Sequence, residues 1–152
     1  MTQTGSGGVE LSLVGQKAPD FTLPGTHGDF SLQEALIRSP LLLIFYPKDD
    51  TPGWTNQLTV ARDAHSSIQA SGFQVAAISA DSLKSHIRFS EKLGLPFPLL
   101  TDADKAVCKL YAVRMPILGI RRTVFAISQD GTILHRQNGA PAPTLIIKNL
   151  NL

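Results

Sequence analysis

The sequence predicts an α/β domain, with a central mixed β-sheet flanked by helices and a β-hairpin near the N-terminus. Three observations carry this expectation. Short apolar runs alternate with helical patterns between residues 41 and 113, which is the order of a layered α/β sandwich. A hairpin pattern follows at residues 123–137, which adds antiparallel strands. The chain has 152 residues, a hydrophobic share of 43% and a charged share of 17%, enough for one ordinary globular core.

Residues 1–10 are rich in Gly, Ser and Thr and read as a flexible tail ahead of a single domain over 11–152. Phe21-Thr22-Leu23 and Phe30-Ser31-Leu32 flank the turn Pro24-Gly25-Thr26-His27-Gly28-Asp29, a hairpin pattern. Ser31 and Glu34 have capping-box spacing for a short helix through Ile37. Leu41 to Tyr46 is continuously apolar and ends at Pro47, as a strand buried on both faces does. Thr51-Pro52 has the chemistry of a helix start: a hydroxyl cap, then a residue that needs no N–H. That helix is expected to run to Ala70 and stop at Gly72, with Trp54, Leu58, Ala61, His65 and Ile68 forming one stripe toward the sheet. Gln74 to Ala80 reads as a buried strand, Ser82 to Leu93 as a helix ended by Gly94, and Phe97 to Leu100 as a short strand. Asp102 to Val113 reads as a helix whose acidic start suits its dipole. Thr123–Ser128 and Thr132–Gln137 form the late hairpin, and Pro143–Leu150 a last helix.

Composition excludes several function classes. The 14 basic and 12 acidic residues are scattered, and no basic stripe with interleaved aromatics is present, so nucleic acid is not an expected partner. The longest apolar run is far too short to span a bilayer, and no secretory signal is visible. The four histidines show no metal-ligand spacing. Asp49-Asp50 is expected to be a solvated pair rather than a cation site. No Gly-rich phosphate loop follows a strand, so neither a cofactor nor a metal is expected. The single cysteine, Cys108, cannot close an internal disulfide and fits a reducing, cytoplasmic setting.

The stretch from Phe45 to Thr55, FYPKDDTPGWT, carries the most chemical information. It resembles the active-site loop of the peroxiredoxins, thiol peroxidases that reduce hydroperoxides, and most closely the Q type, also called bacterioferritin comigratory protein. Pro47 and Thr51 match that loop's Pro-x-x-x-Thr-x-x-Cys pattern, but Trp54 stands at the place of the peroxidatic Cys. Thr59 stands where many Q-type proteins carry the resolving Cys. Ala18-Pro19-Asp20-Phe21-Thr22-Leu23, Thr101-Asp102, Val107-Cys108 and Gly119–Phe125 extend the likeness from about Val14 onward. The resemblance implies a thioredoxin-like fold, a thioredoxin partner and a monomer or weak dimer. It also implies a retained pocket frame of Pro47, Thr51 and Arg122, the last at the place of the family's activating arginine.

An indole has no ionisable group and cannot attack an O–O bond; the reaction needs a thiolate. Each frame residue also has a plain reading, with Thr51 as a helix cap, Pro47 as a strand terminator and Arg122 as a surface cation. Trp54 is read either as a core plug or as an aromatic presented to a partner. Cys108 is read as a half-buried helical thiol behaving as a small hydrophobe, with Lys105 and Lys109 as neighbours that would favour its thiolate. Three functions stay open: a scaffold that has lost peroxidase chemistry and acts by binding, a redox protein acting through Cys108, or an active peroxiredoxin altered at position 54.

Overall fold

The computed structural model describes residues 13–50, 55–117 and 119–150. The expected N-terminal tail, and Thr51 to Trp54, lie outside the described residues.

The chain opens with β1 (Thr22–Leu23) and β2 (Phe30–Ser31), paired antiparallel as the turn-rich hairpin predicts. Ser31 then caps α1 (Leu32–Arg38), its hydroxyl accepting from the Glu34 N–H, so the capping signal is read correctly. β3 (Leu41–Phe45) is buried along its whole length. After the loop come α2 (Thr55–Asp63) and α3 (His65–Ala70), β4 (Gln74–Ser79), α4 (Leu83–Leu93) and β5 (Leu99–Thr101). α5 (Ala106–Leu110), the ribbon β6 (Arg114–Met115) and β7 (Gly119–Ile120), β8 (Thr123–Ile127), β9 (Ile133–Asn138) and α6 (Pro143–Asn149) complete the order.

Five strands form one sheet in the order β5-β4-β3-β8-β9. β3 pairs parallel with β4 and antiparallel with β8, so it is the central strand of a mixed sheet. Alternation along β3 feeds two core layers. Leu41, Leu43 and Phe45 pack with α1, Tyr111 and Phe125, while Leu42, Ile44 and Tyr46 pack with Leu58, Ala61 and Ile68 of α2 and α3. Of the expected stripe, Leu58, Ala61 and Ile68 face the sheet, and His65 at its edge lies with its ring centroid 6.0 Å from that of Phe97; Trp54 lies outside the described residues.

Three expectations need correction. The helix expected from Thr51-Pro52 to Ala70 is, over its described part, broken at Ala64, whose φ of −91° and ψ of 0° turn the chain between α2 and α3. No Pro or Gly marks the break; it lets Ile68 share a core layer with Ile146 of α6. The strand expected at Phe97–Leu100 is Leu99–Thr101, because Pro98 has no N–H to give a ladder. The helix expected over Asp102–Val113 shrinks to Ala106–Leu110. Lys105 sits in the left-handed region at φ 60°, and Ala112 does so at φ 58°, which bounds the helix at both ends. The acidic start is confirmed differently from the dipole reading. Asp102 is buried, and its carboxylate accepts from the N–H groups of Val107 at 3.2 Å and Cys108 at 2.8 Å.

Candidate functional site

The loop after β3 is built from the strand outward. The Tyr46 N–H still donates to Ile78 O at 3.0 Å, and Pro47 then ends the ladder. Asp50 takes a left-handed conformation at φ 52°, which turns the loop so that its two aspartates diverge. Asp50 is exposed and pairs with Lys92 Nζ at 2.9 Å. Asp49 is 7% exposed, so the expected solvated pair is not found. The physical reason is a set of donors waiting in the interior.

Tyr46 Oη donates to Asp49 Oδ1 at 2.6 Å, and Ser85 Oγ donates to Asp49 Oδ2 at 2.8 Å. His86 Nδ1 lies 2.8 Å from the same Oδ2, and His86 Nε2 lies 3.0 Å from Leu100 O. Both ring nitrogens of this fully buried histidine therefore lie within hydrogen-bond distance of an oxygen. Burial pushes the Asp49 carboxyl upward, but His86, Tyr46 and Ser85 outweigh it and hold the group below its usual range. The Tyr46 hydroxyl is driven well above its usual range, by burial first and by Asp49 second. Asp81 joins the backbone side: its Oδ2 accepts from the Asp49 N–H at 2.8 Å and from Ser79 Oγ at 2.6 Å. Asp49, Asp81 and His86 each bring a ligand atom within 4.8 Å of the others, but both Asp49 oxygens, both His86 nitrogens and Asp81 Oδ2 take part in the contacts just described. The cluster works as a clasp between the loop and α4 rather than as a cation cage.

On the other side of the loop lies a groove of about 480 Å³ lined by Pro47, Met115, Ile120, Arg121, Arg122, Asn138 and Gly139. Pro47 and Arg122, two of the three residues expected to form a pocket frame, both line this groove. Arg122 is half-buried rather than a surface cation, and its Nη1 donates to Gln57 Oε1 at 2.9 Å. Gln57 is itself buried, and its Nε2 reaches Gly139 O at 3.5 Å, which orients the amide. Sequence reasoning missed Gln57; its place one helical turn beyond position 54 was the only available signal. The Tyr46–Asp49–His86 clasp was also missed, because Asp49 and His86 are separated by 37 positions and neither has metal or triad spacing.

Thr59 lies half-buried on α2. Thr51 and Trp54 lie outside the described residues. Cys108 is fully buried, not half-buried as expected, and belongs to the core layer of Leu43, Phe45 and Phe125. α2 packs in the other layer, so the sheet stands between Cys108 and the helix that follows the loop. Burial, then the Asp102 carboxylate, pushes the Cys108 thiol far up; Lys105 pulls the other way, as its sequence position suggests, and loses.

A mixed five-stranded sheet with helices on both faces, and a loop leaving its central strand beside a half-buried arginine, defines a thioredoxin-like α/β protein of the peroxiredoxin type. The chain belongs to the AhpC/TSA family, whose profile matches residues 14–136. A Coxiella burnetii relative bearing the name peroxiredoxin bcp is 43% identical over 127 residues, covering 79% of this chain and 84% of its own. Peroxiredoxin Bcp of Bacillus subtilis is 34% identical over 128 residues, covering 80% and 82%. The crystal structure of peroxidoxin BcpB from Mycobacterium tuberculosis superposes with a TM-score of 0.83 at 27% identity, covering 91% of this chain and 96% of that one. Peroxiredoxin Q of Xanthomonas campestris gives 0.77 at 29% identity, covering 86% and 89%. No helix among the described residues is long and apolar enough to cross a membrane.

Proposed function

We propose that this chain is a peroxiredoxin scaffold that does not turn over hydroperoxides through a thiol and acts instead by binding. One observation supports this above others. The sole thiol, Cys108, is sealed in a core layer with its pKa raised, on the far side of the sheet from α2. The place of the family's nucleophile is held by Trp54, and that of the resolving Cys by Thr59. A thiolate must reach the O–O bond and be present at working pH, and Cys108 meets neither condition. The reading of a redox protein acting through Cys108 loses its support on the same ground. Thioredoxin, the family's expected partner, would find neither a sulfenic acid nor a disulfide to reduce.

A second reading keeps one specific observation. Pro47 and Arg122 still line one groove, and Gln57 still aims the guanidinium. That frame suits a peroxidase whose position 54 has been changed.

Peroxide consumption coupled to thioredoxin and its reductase tests the proposal. The expected result is no turnover of hydrogen peroxide or an alkyl hydroperoxide above a heat-killed control. Turnover abolished by Cys108→Ser would reject it.

A further inference from the structure

The groove beside Pro47 continues past Arg121 onto a second concavity of about 310 Å³ lined by Met115, Pro116, Ile117 and Arg121. Ile117 is 93% exposed, an extreme for an aliphatic side chain, and it sits in the turn between β6 and β7. Met115 and Ile120 add apolar wall on the same ribbon. The combined hollow falls in the range of small-molecule sites, about 300–1,000 Å³.

Its electrostatics have one sign. Among the described lining residues of both hollows, Arg121 and Arg122 are the charged groups and none is acidic. Arg136 stands close enough that Arg121 lowers its pKa, after burial, so a third guanidinium adds to the same field. The Arg121 backbone is fixed, its N–H donating to Val113 O at 2.7 Å. Its exposed guanidinium makes no hydrogen bond or ion pair among the described residues, and it borders both hollows. An apolar trough with a planar five-donor fork at its middle matches a planar anion joined to a short hydrocarbon chain.

We propose that this groove binds a free medium-chain carboxylate, with its chain on Met115, Ile117 and Ile120 and its carboxylate on Arg121. The inference rests on the reading of the protein as a binding scaffold and names its ligand class. The hydrocarbon loses water on entry, and a bidentate contact to Arg121 compensates the carboxylate for the water it gives up.

Isothermal titration of the full chain with decanoate, below its micellar concentration and at neutral pH, tests the proposal. Saturable one-site binding is expected, weakened by added salt. Decanol should bind at least about tenfold more weakly, and Arg121→Ala should weaken decanoate by about tenfold, the scale of one charge-assisted contact. Lys17→Ala, in the separate hollow near Asp130, should change nothing. Amide shifts on titration should cluster at residues 115, 117 and 120. Absence of saturable binding, equal affinity for decanol, or an Arg121→Ala variant that binds as well as the parent would each overturn the assignment. The outcome is separable from the peroxidase assay: decanoate binding together with thiol turnover would reject the scaffold reading and leave the ligand assignment standing.

Discussion

His86 Nδ1 lies 2.8 Å from Asp49 Oδ2, joining α4 to the loop that carries the family motif. The pair is buried at both ends, and Tyr46 and Ser85 add hydroxyl donors to the carboxylate.

Removing one partner of a buried pair leaves the other uncompensated. Asp49→Asn should destabilise the fold by roughly 3–5 kcal/mol at neutral pH. The sign with pH is fixed by the folded carboxyl lying below its unfolded value near 3.8. The contribution is complete above that value and fades as pH falls through the folded one. Urea titrations at pH 7 and pH 3 should therefore show a smaller penalty in acid. An equal penalty at both would deny that the Asp49 charge does the stabilising.

The 2.8 Å contact between His86 Nδ1 and Asp49 Oδ2 predicts that Nδ1 is the hydrogen-bond donor in the folded protein. Nitrogen-15 NMR of labelled histidine reports this directly. A bare Nδ1 would mean that Asp49 holds the shared proton instead.

Cys108 should resist thiol reagents until the protein unfolds. Maleimide or a sulfenic-acid trap should mark it only in denaturant, and labelling of the native protein on the timescale of catalytic thiols would contradict its burial. Its raised folded pKa also implies a loss of stability as pH climbs above the unfolded value of 9.0, since only the unfolded thiol ionises there. Cys108→Ala should flatten that part of the alkaline slope relative to the parent, whose Tyr46 and Tyr111 contribute in the same direction.

A thiol placed at the family's position should recover reactivity if the frame is competent. Trp54→Cys should form a sulfenic acid faster than free cysteine in stopped-flow oxidation. Combining it with Arg122→Ala should slow the step by about 10–100-fold, the worth of a charged hydrogen bond. Gln57→Ala should slow it less, because it loosens the aim of Arg122 without removing the charge. A folded revertant no faster than free cysteine would show that the frame no longer converges on position 54.

Asp102 replaces the helical turn that the sequence suggested. Asp102→Ala should cost about 1–3 kcal/mol, since it strands the N–H groups of Val107 and Cys108 in the core. Thermal denaturation measures it, and a neutral change would remove the capping role.

Patterns within one element were legible in the sequence because they depend on local chemistry. Leu41 to Phe45 announces a doubly buried strand, Ser31 and Ser82 announce helix starts, and Gly94 announces a stop. The family was legible in the same way, from residue types at fixed spacing around Pro47 and Arg122.

Other features depended on what distant segments bring. No local signal separates a helix over 102–113 from a buried aspartate that caps a shorter one, because the choice turns on whether Asp102 is sealed in the core. Asp49 and Asp50 are indistinguishable in sequence, and only the tertiary fold sets one on His86 and the other on Lys92. The same holds for Cys108, whose chemistry is decided by the sheet that separates it from α2. Hydrogen-bonding and hydrophobic periodicity are properties of a few consecutive residues; burial, charge pairing and the aim of a guanidinium are properties of neighbours that the chain supplies from far away.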